Sequence, residues 1–362
     1  MNQARMAAQL LHRPPGTGAG GIVRHLLAVQ AQDLAAAPLA FRARSATVTL
    51  GDVEAAVQAR EIVRTWGPRG TLHYVHRDDL PWLLALTARR TGTLRRLAEE
   101  GVTGDDLPAL IGRALHGQGP LTKAELEERL GGRARGQGVV HLVALAAACG
   151  LAVLGPPRNG KPTYVHADDW LGGPIAFEPD RDRALRELAV RYRRAHVPAG
   201  PEDLAAWSGL PLGQARTAWR AAPAPRPAPD SEGTGRPADP GGRHAPEVPV
   251  RLLPSFDEYL LGWKSREPFL PAEHVRAVFP GGGILRPVVL VDGVIGGTWA
   301  RRGDEVTVTA FAELAGPARD HLAREIADVR RFLGRHTRRE GDPGRGHTER
   351  EDPGRKTQGG QT

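Results

Sequence analysis

Apolar residues recur every three or four positions along most of the chain, a spacing that marks one face of an α-helix, and a few short stretches alternate instead. In the first hundred residues this pattern predicts helices over 3–12, 20–36, 51–61 and 78–99. The alternating stretch 61–75 turns at Gly67–Pro68 and predicts a two-stranded hairpin.

The following stretch has the same plan. Helices are predicted over 106–117, 121–130 and 137–150, and a hairpin follows with strands 151–155 and 162–166. Thr122 and Glu125 are spaced as a capping box, and Gly150 is suited to end the third helix. Three short helices and a hairpin make up the winged-helix plan, a helix-turn-helix variant that places its third helix in the major groove of DNA.

A third unit is incomplete. Helices are predicted over 181–196, 197–211 and 211–222, but a tract rich in Pro, Gly and Ala replaces the hairpin that would follow them. Beyond this tract, residues 286–311 predict three strands with turns at Asp292–Gly293 and Gly303–Asp304. A final helix and a charged tail complete the chain.

The pattern as a whole predicts an α+β protein of tandem winged-helix (helix-turn-helix) units with a C-terminal antiparallel β element. We divide the chain into winged-helix units 1 and 2 (1–100 and 101–172), a partial winged-helix unit 3 (173–221), a disordered Pro/Gly-rich insertion (222–249), a C-terminal β element with its closing helix (250–336) and a disordered charged tail (337–362).

The charge balance is basic. The formal net charge is +8 and the isoelectric point is near 10.3, and 45 of the 49 basic residues are arginine. A basic chain suits a polyanionic partner such as nucleic acid. A codon bias toward arginine is the alternative explanation, and charge alone does not separate the two.

Several classes of protein are excluded. The single cysteine, Cys149, rules out a disulfide framework and a cysteine zinc site within the chain. No metal-binding motif of the HExxH type, Walker loop or dinucleotide-binding glycine motif after a strand occurs. We therefore expect no metal and no cofactor. No apolar run is long enough to span a membrane and no signal-peptide core is present, so we expect a cytoplasmic, nucleoid-associated protein that binds no membrane.

Winged-helix units on a basic chain point to duplex DNA as the partner, although such units also serve as scaffolds for protein contacts. We expect a monomer. The candidates for phosphate contacts are Arg133, Arg135 and Arg158 in unit 2 and Arg301 and Arg302 in the C-terminal hairpin. Taken alone, an arginine of this kind is more often a solvated surface charge than a phosphate ligand.

The segment AVQAQD is hard to reconcile with a buried helix. Gln30 falls on the apolar face of the predicted helix 20–36, and Gln32 points roughly the opposite way. An amide aimed at a core destabilises the fold unless it is hydrogen-bonded. Either Gln30 caps a neighbouring backbone group and Gln32 is solvated, or both face a polar cleft. The second case requires the helix to end or bend there.

Three segments carry a resemblance to a known family: LLAVQAQDLAAAPLAFRAR, VRTWGPRGTLHYVHRDDLPWL and LLPSFDEYLLGW. Together they resemble the AlkZ-like winged-helix DNA glycosylases, over about residues 3–335. The resemblance implies three tandem winged helices with a C-terminal β element. It also implies removal of alkylated purines, in some members purines tied into interstrand crosslinks. The family signature at the catalytic centre is Gln–apolar–Gln, or Gln–apolar–Asp in a sister branch, and Gln30–Ala31–Gln32 fits the first. The proline-rich insertion and the charged tail depart from the family.

Glutamine chemistry restricts the substrate that this resemblance implies. An amide is a poor acid and a poor base, and it offers one acceptor oxygen and two donor hydrogens. An N7- or N3-alkylated purine already carries a positive charge, so the base leaves without being protonated. What remains is to place a water and to stabilise an oxocarbenium-like sugar. We therefore expect Gln30 and Gln32 to be catalytic, with Asp33 as a nearby carboxylate.

Trp66, Arg69 and His73 form a second candidate cluster that holds a phosphate or flanks the lesion. The alternative is that Trp66 is a core residue and that Arg69 pairs with an acid such as Asp257. Two other functions stay open for the whole chain: a non-catalytic DNA-binding protein or transcription regulator, and a protein scaffold.

Overall fold

The computed structural model describes residues 1–88, 91–223 and 249–334, and its helices pack on two antiparallel sheets. In chain order the helices are α1 (Asn2–Ala8), α2 (Ala19–Leu26), α3 (Leu39–Arg44), α4 (Leu50–Gln58), α5 (Leu80–Thr87), α6 (Thr91–Glu99), α7 (Leu107–Leu115), α8 (Lys123–Arg129), α9 (Gln137–Ala148), α10 (Ala167–Leu171), α11 (Arg181–Ala195), α12 (Pro201–Ser208), α13 (Leu212–Ala221), α14 (Glu258–Leu261), α15 (Val275–Val278) and α16 (Gly316–Phe332).

The strands form one six-stranded and one four-stranded sheet, with the orders β1-β3-β2-β5-β6-β4 and β10-β9-β8-β7. In chain order they are β1 (Val29–Gln30), β2 (Ile62–Trp66), β3 (Leu72–His76), β4 (Leu121–Thr122), β5 (Ala152–Arg158), β6 (Lys161–His166), β7 (Val250–Leu253), β8 (Val288–Val291), β9 (Val294–Arg302) and β10 (Glu305–Ala310).

The two predicted hairpins are confirmed, and they share one sheet because β2 pairs with β5 at Arg64 and Leu154. They also end alike. The first closes on the segment YVHRDD and the second on YVHADD, and the histidine of each pairs with the first residue of the preceding strand. The second hairpin therefore repeats the first in sequence and in register.

Two predicted helices are wrong in extent. Helix 20–36 ends at Leu26, because Leu27 adopts a left-handed φ of 75° and Val29–Gln30 pair as a strand with β3. Residues Leu26 to Ala31 are all buried, and a continuous buried run of this length is equally compatible with a helix and with a strand. The sequence pattern therefore could not decide between the two. Helix 78–99 is two helices, α5 and α6, because Ala88 is extended.

Other predicted features are confirmed. The capping box of α8 forms between Thr122 and Glu125, Gly150 follows α9 with a φ of 77°, and Pro201 occupies the first position of α12. The three C-terminal strands and α16 form as expected, with β7 as an unpredicted fourth strand. The predicted disordered segments 222–249 and 337–362 lie outside the described residues, apart from Ala222, Pro223 and Pro249.

Helix α3 is buried along its whole length and joins the N- and C-terminal parts of the chain. Arg42 donates to Glu325 on α16 (2.9 Å), and Arg44 forms a bidentate pair with Asp257 (2.8 and 2.9 Å). Asp257 also caps α14 by accepting from the Tyr259 amide. These buried pairs seat the start of α14 against unit 1. Among the residues that the structure describes, no helix is long and apolar enough to cross a bilayer.

Candidate active site

The backbone between the two glutamines is held on both sides. The Ala31 amide donates to the Leu72 carbonyl (2.7 Å), and the Ala31 carbonyl accepts from Arg64 Nε (2.9 Å) and Nη2 (2.7 Å). Arg64 is buried on β2. Because both polar groups of Ala31 are occupied, Gln30 and Gln32 leave the backbone in fixed directions.

Gln30 is nearly buried, at 7% exposure, and Arg69 determines the orientation of its amide. Arg69 Nη2 donates to Gln30 Oε1 over 2.8 Å, while Nη1 donates to the Trp207 carbonyl. Since a guanidinium only donates, the atom facing Arg69 must be the oxygen, and the Nε2 amino group points elsewhere. Nε2 has no hydrogen-bond partner within the described ranges and is not among their buried unpartnered atoms.

A buried carboxylate, Glu258, binds the backbone of the same residue. Glu258 Oε1 accepts from the Gln30 backbone amide (2.9 Å), and Oε2 accepts from Trp207 Nε1 (3.0 Å). Burial raises the pKa of this carboxyl, against the Arg69 charge and the hydrogen bonds from Trp207 and Gln30, which lower it. Glu258, Trp207, Arg69 and Gln30 therefore form one connected network drawn from three parts of the chain.

Gln32 is exposed, in contrast to Gln30. Its Oε1 accepts from the Leu72 amide (3.2 Å), which leaves one lone pair of that oxygen and the amino group for solvent or substrate. Asp33 does not face the glutamines' network: its carboxylate accepts from the amides of Ala35 and Ala36 and caps the following turn.

His73 lies directly opposite Gln30 on the neighbouring strand, so their side chains share one face of the sheet. Its Nδ1 bonds the Thr71 carbonyl (2.9 Å), which places the proton on Nδ1 and leaves Nε2 as a bare acceptor. Nε2 is buried and has no partner among the described residues. Burial, and then the Arg69 charge, lower the pKa of His73 to about 3, so the ring is neutral at pH 7.

Neither of the other two cluster residues lies on the same strand face as His73. Arg69 sits in the turn between β2 and β3, with a left-handed φ of 58° that a non-glycine residue seldom adopts. Trp66 lies on the opposite face from His73 and packs, half-buried, on the core that includes Leu72 and Leu97. The suggested Arg69–Asp257 pair does not form, because Asp257 is held by Arg44; the acid near Arg69 is Glu258.

The candidate phosphate contacts are at the surface in two separate places. Arg133 and Arg135 are exposed between α8 and α9, and Arg158 is exposed at the tip of the β5–β6 hairpin, where it pairs with Glu125. In the C-terminal hairpin, Arg302 is exposed. Arg301 is half-buried and lines, with Arg64 and other residues, a cavity of about 460 Å³ that includes neither glutamine.

Sequence reasoning missed Glu258 and Trp207. Glu258 lies 228 residues from Gln30, and nothing in the spacing of a single chain connects them. The only available signal was its position inside the segment LLPSFDEYLLGW, where acid and aromatic residues stand together. Trp207 carries no signal beyond being a tryptophan next to a helix end.

Comparisons with known proteins agree over most of the chain. The profile of a family described as DNA glycosylase AlkZ-like matches residues 23–332. An interstrand DNA cross-link repair glycosylase of Streptomyces sahachiroi is 28% identical over 364 residues, which covers 91% of this chain and 95% of the relative. The solved structure of Streptomyces sahachiroi DNA glycosylase AlkZ has a TM-score of 0.72 at 28% identity, covering 92% of this chain and 96% of that one.

Proposed function

The chain belongs to the AlkZ-like family of DNA glycosylases, and from this premise we propose that it hydrolyses the N-glycosidic bond of cationic alkylated purines in duplex DNA, with Gln30 and Gln32 at the reacting centre. The observation that carries the proposal is the pair of amides on either side of a clamped Ala31, one in a buried hydrogen-bond network and one exposed. The proposed substrates are N7- and N3-alkylpurines.

The substrate class follows from what the site contains. No group beside Gln30 supplies a proton near pH 7: the His73 pKa is about 3, Gln30 and Gln32 are amides, and Arg69 holds its proton. Burial raises the pKa of Glu258, but this carboxyl is fully buried, and its two oxygens are directed at the Gln30 amide and Trp207 Nε1 and not at solvent. A neutral base must gain a proton as it leaves, whereas an alkylated cationic purine needs none. The site therefore suits the second kind of lesion.

The two amides share the remaining work. Each Oε1 accepts one hydrogen bond from the protein and has a second lone pair, which can hold a water. Gln32, being exposed, presents that oxygen to incoming DNA. The bond between the anomeric carbon and the purine nitrogen breaks, and its electron pair leaves with the base and neutralises the cationic ring. The partial negative charges of the amide oxygens stabilise the oxocarbenium-like sugar, and a water held by these oxygens adds to the anomeric carbon and loses its extra proton to solvent. Gln30 Nε2 is left to donate to the substrate.

Arg69 and Glu258 act as positioning residues in this mechanism. Arg69 fixes which end of the Gln30 amide faces the cleft. Glu258 accepts from the Gln30 backbone amide and from the ring of Trp207, the residue whose carbonyl accepts from Arg69. Catalytic amides must be held within fractions of an ångström, because small displacements cost large factors in rate. His73 keeps a neutral ring against Gln30.

We propose that residues 1–100 and 101–172 are two winged-helix units and that residues 173–221 are a partial third unit, which together bring DNA to this centre, followed by the β element 250–336. The repeated hairpin register and the helix α7–α8–α9 order support the first two units. Arg133, Arg135, Arg158, Arg301 and Arg302 are the proposed phosphate contacts. Since a relative is named for repair of interstrand cross-links, crosslinked purines extend the proposed substrate class.

The direct test is release of free base from two matched duplexes. One carries a single N7-methylguanine and the other a single uracil at the same position. We expect the first duplex to lose its modified base and the second to stay intact. Release of uracil would contradict the argument from leaving-group charge. Tight binding of both duplexes without release would favour a non-catalytic DNA-binding protein.

A further inference from the structure

We propose that His116, His166 and Asp169 form a binding site for a divalent transition metal, zinc in particular, that fastens unit 2 at the base of its hairpin. His116 Nδ1 lies 3.4 Å from Asp169 Oδ1, and His166 Nδ1 lies 3.8 Å from the same oxygen. One donor atom from each residue lies within 4.8 Å of the other two. Two imidazoles and a carboxylate are a common zinc ligand set.

The spacing is close to what coordination requires. Zinc binds imidazole nitrogen and carboxylate oxygen at about 2.0–2.2 Å, so neighbouring donors of a tetrahedral site lie about 3.3 Å apart. Both measured distances to Asp169 are near that value. The His116 side chain is 71% exposed, so its rotation closes the remaining gap without moving the core. The fourth position is left to water.

Two further observations distinguish this cluster from a surface ion pair. His166 is 8% exposed, and its Nδ1 is a buried atom that has no hydrogen-bond partner in the described part of the chain. Asp169 Oδ2 accepts from the Gly117 amide (2.7 Å), which orients the other oxygen, Oδ1, toward the histidines. Outer contacts of this kind fix the orientation of metal ligands. A metal would satisfy the buried nitrogen that otherwise destabilises the fold.

The first hairpin provides an internal comparison, because its YVHRDD segment matches YVHADD. There, His76 Nδ1 accepts from the Asp78 amide (3.3 Å), and Asp79 pairs with Arg191. In unit 2 the equivalent His166 makes no such cap and the equivalent Asp169 faces His116. In the first hairpin the histidine Nδ1 therefore caps the following helix, whereas in the second hairpin the same atom of His166 has no hydrogen-bond partner among the described residues.

The proposed metal site is separate from the hairpin tip that carries Arg158, one of the proposed phosphate contacts. His166 ends β6, five residues from the hairpin tip at Lys161, which is about 16 Å along a strand. The metal would connect the loop after α7 to α10, and its role would be structural. Base release is therefore expected to be independent of it.

The test uses the full-length chain without an affinity tag, treated with chelator and titrated with Zn²⁺ and, separately, Co²⁺. We expect the wild type to bind one equivalent more than His116→Ala and Asp169→Asn, or to bind it at least about tenfold more tightly, since even outer-contact losses cost that much. Bound Co²⁺ should show the intense visible absorption of tetrahedral coordination. Zn²⁺ should raise the Tm of the wild type and not of these variants.

His141→Ala is the matched control, because His141 pairs with a single carboxylate, Glu100, over 2.9 Å in the same unit. It should bind Zn²⁺ like the wild type. His116 and Asp169 are preferred over the buried His166 because their substitution leaves the core intact. Equal Zn²⁺ binding by wild type and His116→Ala, or no binding by the wild type at micromolar Zn²⁺, would overturn the proposal.

Discussion

At the scale of single residues, the geometry of the site follows from which groups donate hydrogen bonds and which accept them. Arg69 only donates, so it selects the oxygen of Gln30, and the clamped Ala31 holds the two amides apart. Gln30 was a candidate because an amide stood on an apolar helix face, and the resemblance to the AlkZ-like family made Gln30 and Gln32 a catalytic pair. Arg69 and His73 were candidates by their positions in the alternating stretch 61–75. The sequence did not predict that Glu258 supports Gln30, since the contact depends on the folding of distant segments.

The Arg69 contact makes a prediction. Arg69→Lys removes the planar fork that reaches Gln30 and the Trp207 carbonyl together, so we expect single-turnover base release to slow by about ten- to a hundredfold while DNA affinity changes little. Arg181→Lys is the matched control, because Arg181 donates to Gln214 over 2.9 Å in an exposed arginine–glutamine pair. Equal rates for both variants and the wild type would show that Arg69 does not position the amide.

At the scale of elements, the decisive one is the two-residue strand β1. Helices α4, α7–α9, α11–α13 and α16 have a regular apolar period, and the sequence predicted them to within a few residues. Strand β1 has no period of its own. It forms because Leu27 turns the chain and the edge of β3 accepts Val29 and Gln30, both of which are tertiary effects.

The β5–β6 hairpin carries a prediction about DNA binding. Arg158 is exposed at its tip, and if it contacts a phosphate, Arg158→Gln should lower DNA affinity and reduce the slope of log affinity against log salt by about 0.9. The rate of base release at saturating enzyme should be unchanged. Arg319→Gln, on the exposed side of α16, is the control. An unchanged salt slope for Arg158→Gln would remove this residue from the interface.

At the scale of the whole molecule, the N-terminal segment that the sequence predicted as unit 1 is joined to the rest of the chain by a shared sheet and by buried ion pairs. Its hairpin shares a sheet with the second hairpin, because β2 pairs with β5. Buried ion pairs join its helix α3 to α16 and to the cap residue of α14. The sequence predicted the units as successive segments, but it did not predict that they share a sheet. Pairing between β2 and β5 depends on which strand edges meet, and no residue pattern within either hairpin specifies that.

Buried histidines predict that the whole molecule is less stable in acid. Burial lowers the pKa of His73 and of His196 to about 3, whereas unfolded histidine titrates near about 6.5. Between these values the unfolded chain binds protons that the folded chain does not. These two residues therefore leave the free energy of unfolding unchanged above about pH 6.5. As the pH falls from there toward 3, each lowers the free energy of unfolding by up to about 1.4 kcal/mol per pH unit.

We accordingly expect the Tm to be lower at pH 5 than at pH 7.5. The difference should shrink in His196→Phe, which keeps an aromatic ring beside Tyr192, and should persist in His141→Ala, whose ring is more accessible. A Tm that is unchanged between the two pH values would contradict the burial of these rings.

The most direct test of the central claim is single-turnover release of N7-methylguanine at saturating enzyme, with DNA affinity and Tm measured in parallel. Gln30→Ala and Gln32→Ala should each slow release by about ten- to a thousandfold at nearly unchanged affinity. The double variant should be less than additive if both amides hold one water. Gln214→Ala should behave as wild type. Release at the wild-type rate by both single variants would contradict the catalytic assignment, and a lowered Tm that accounts for lost activity would make the glutamines structural.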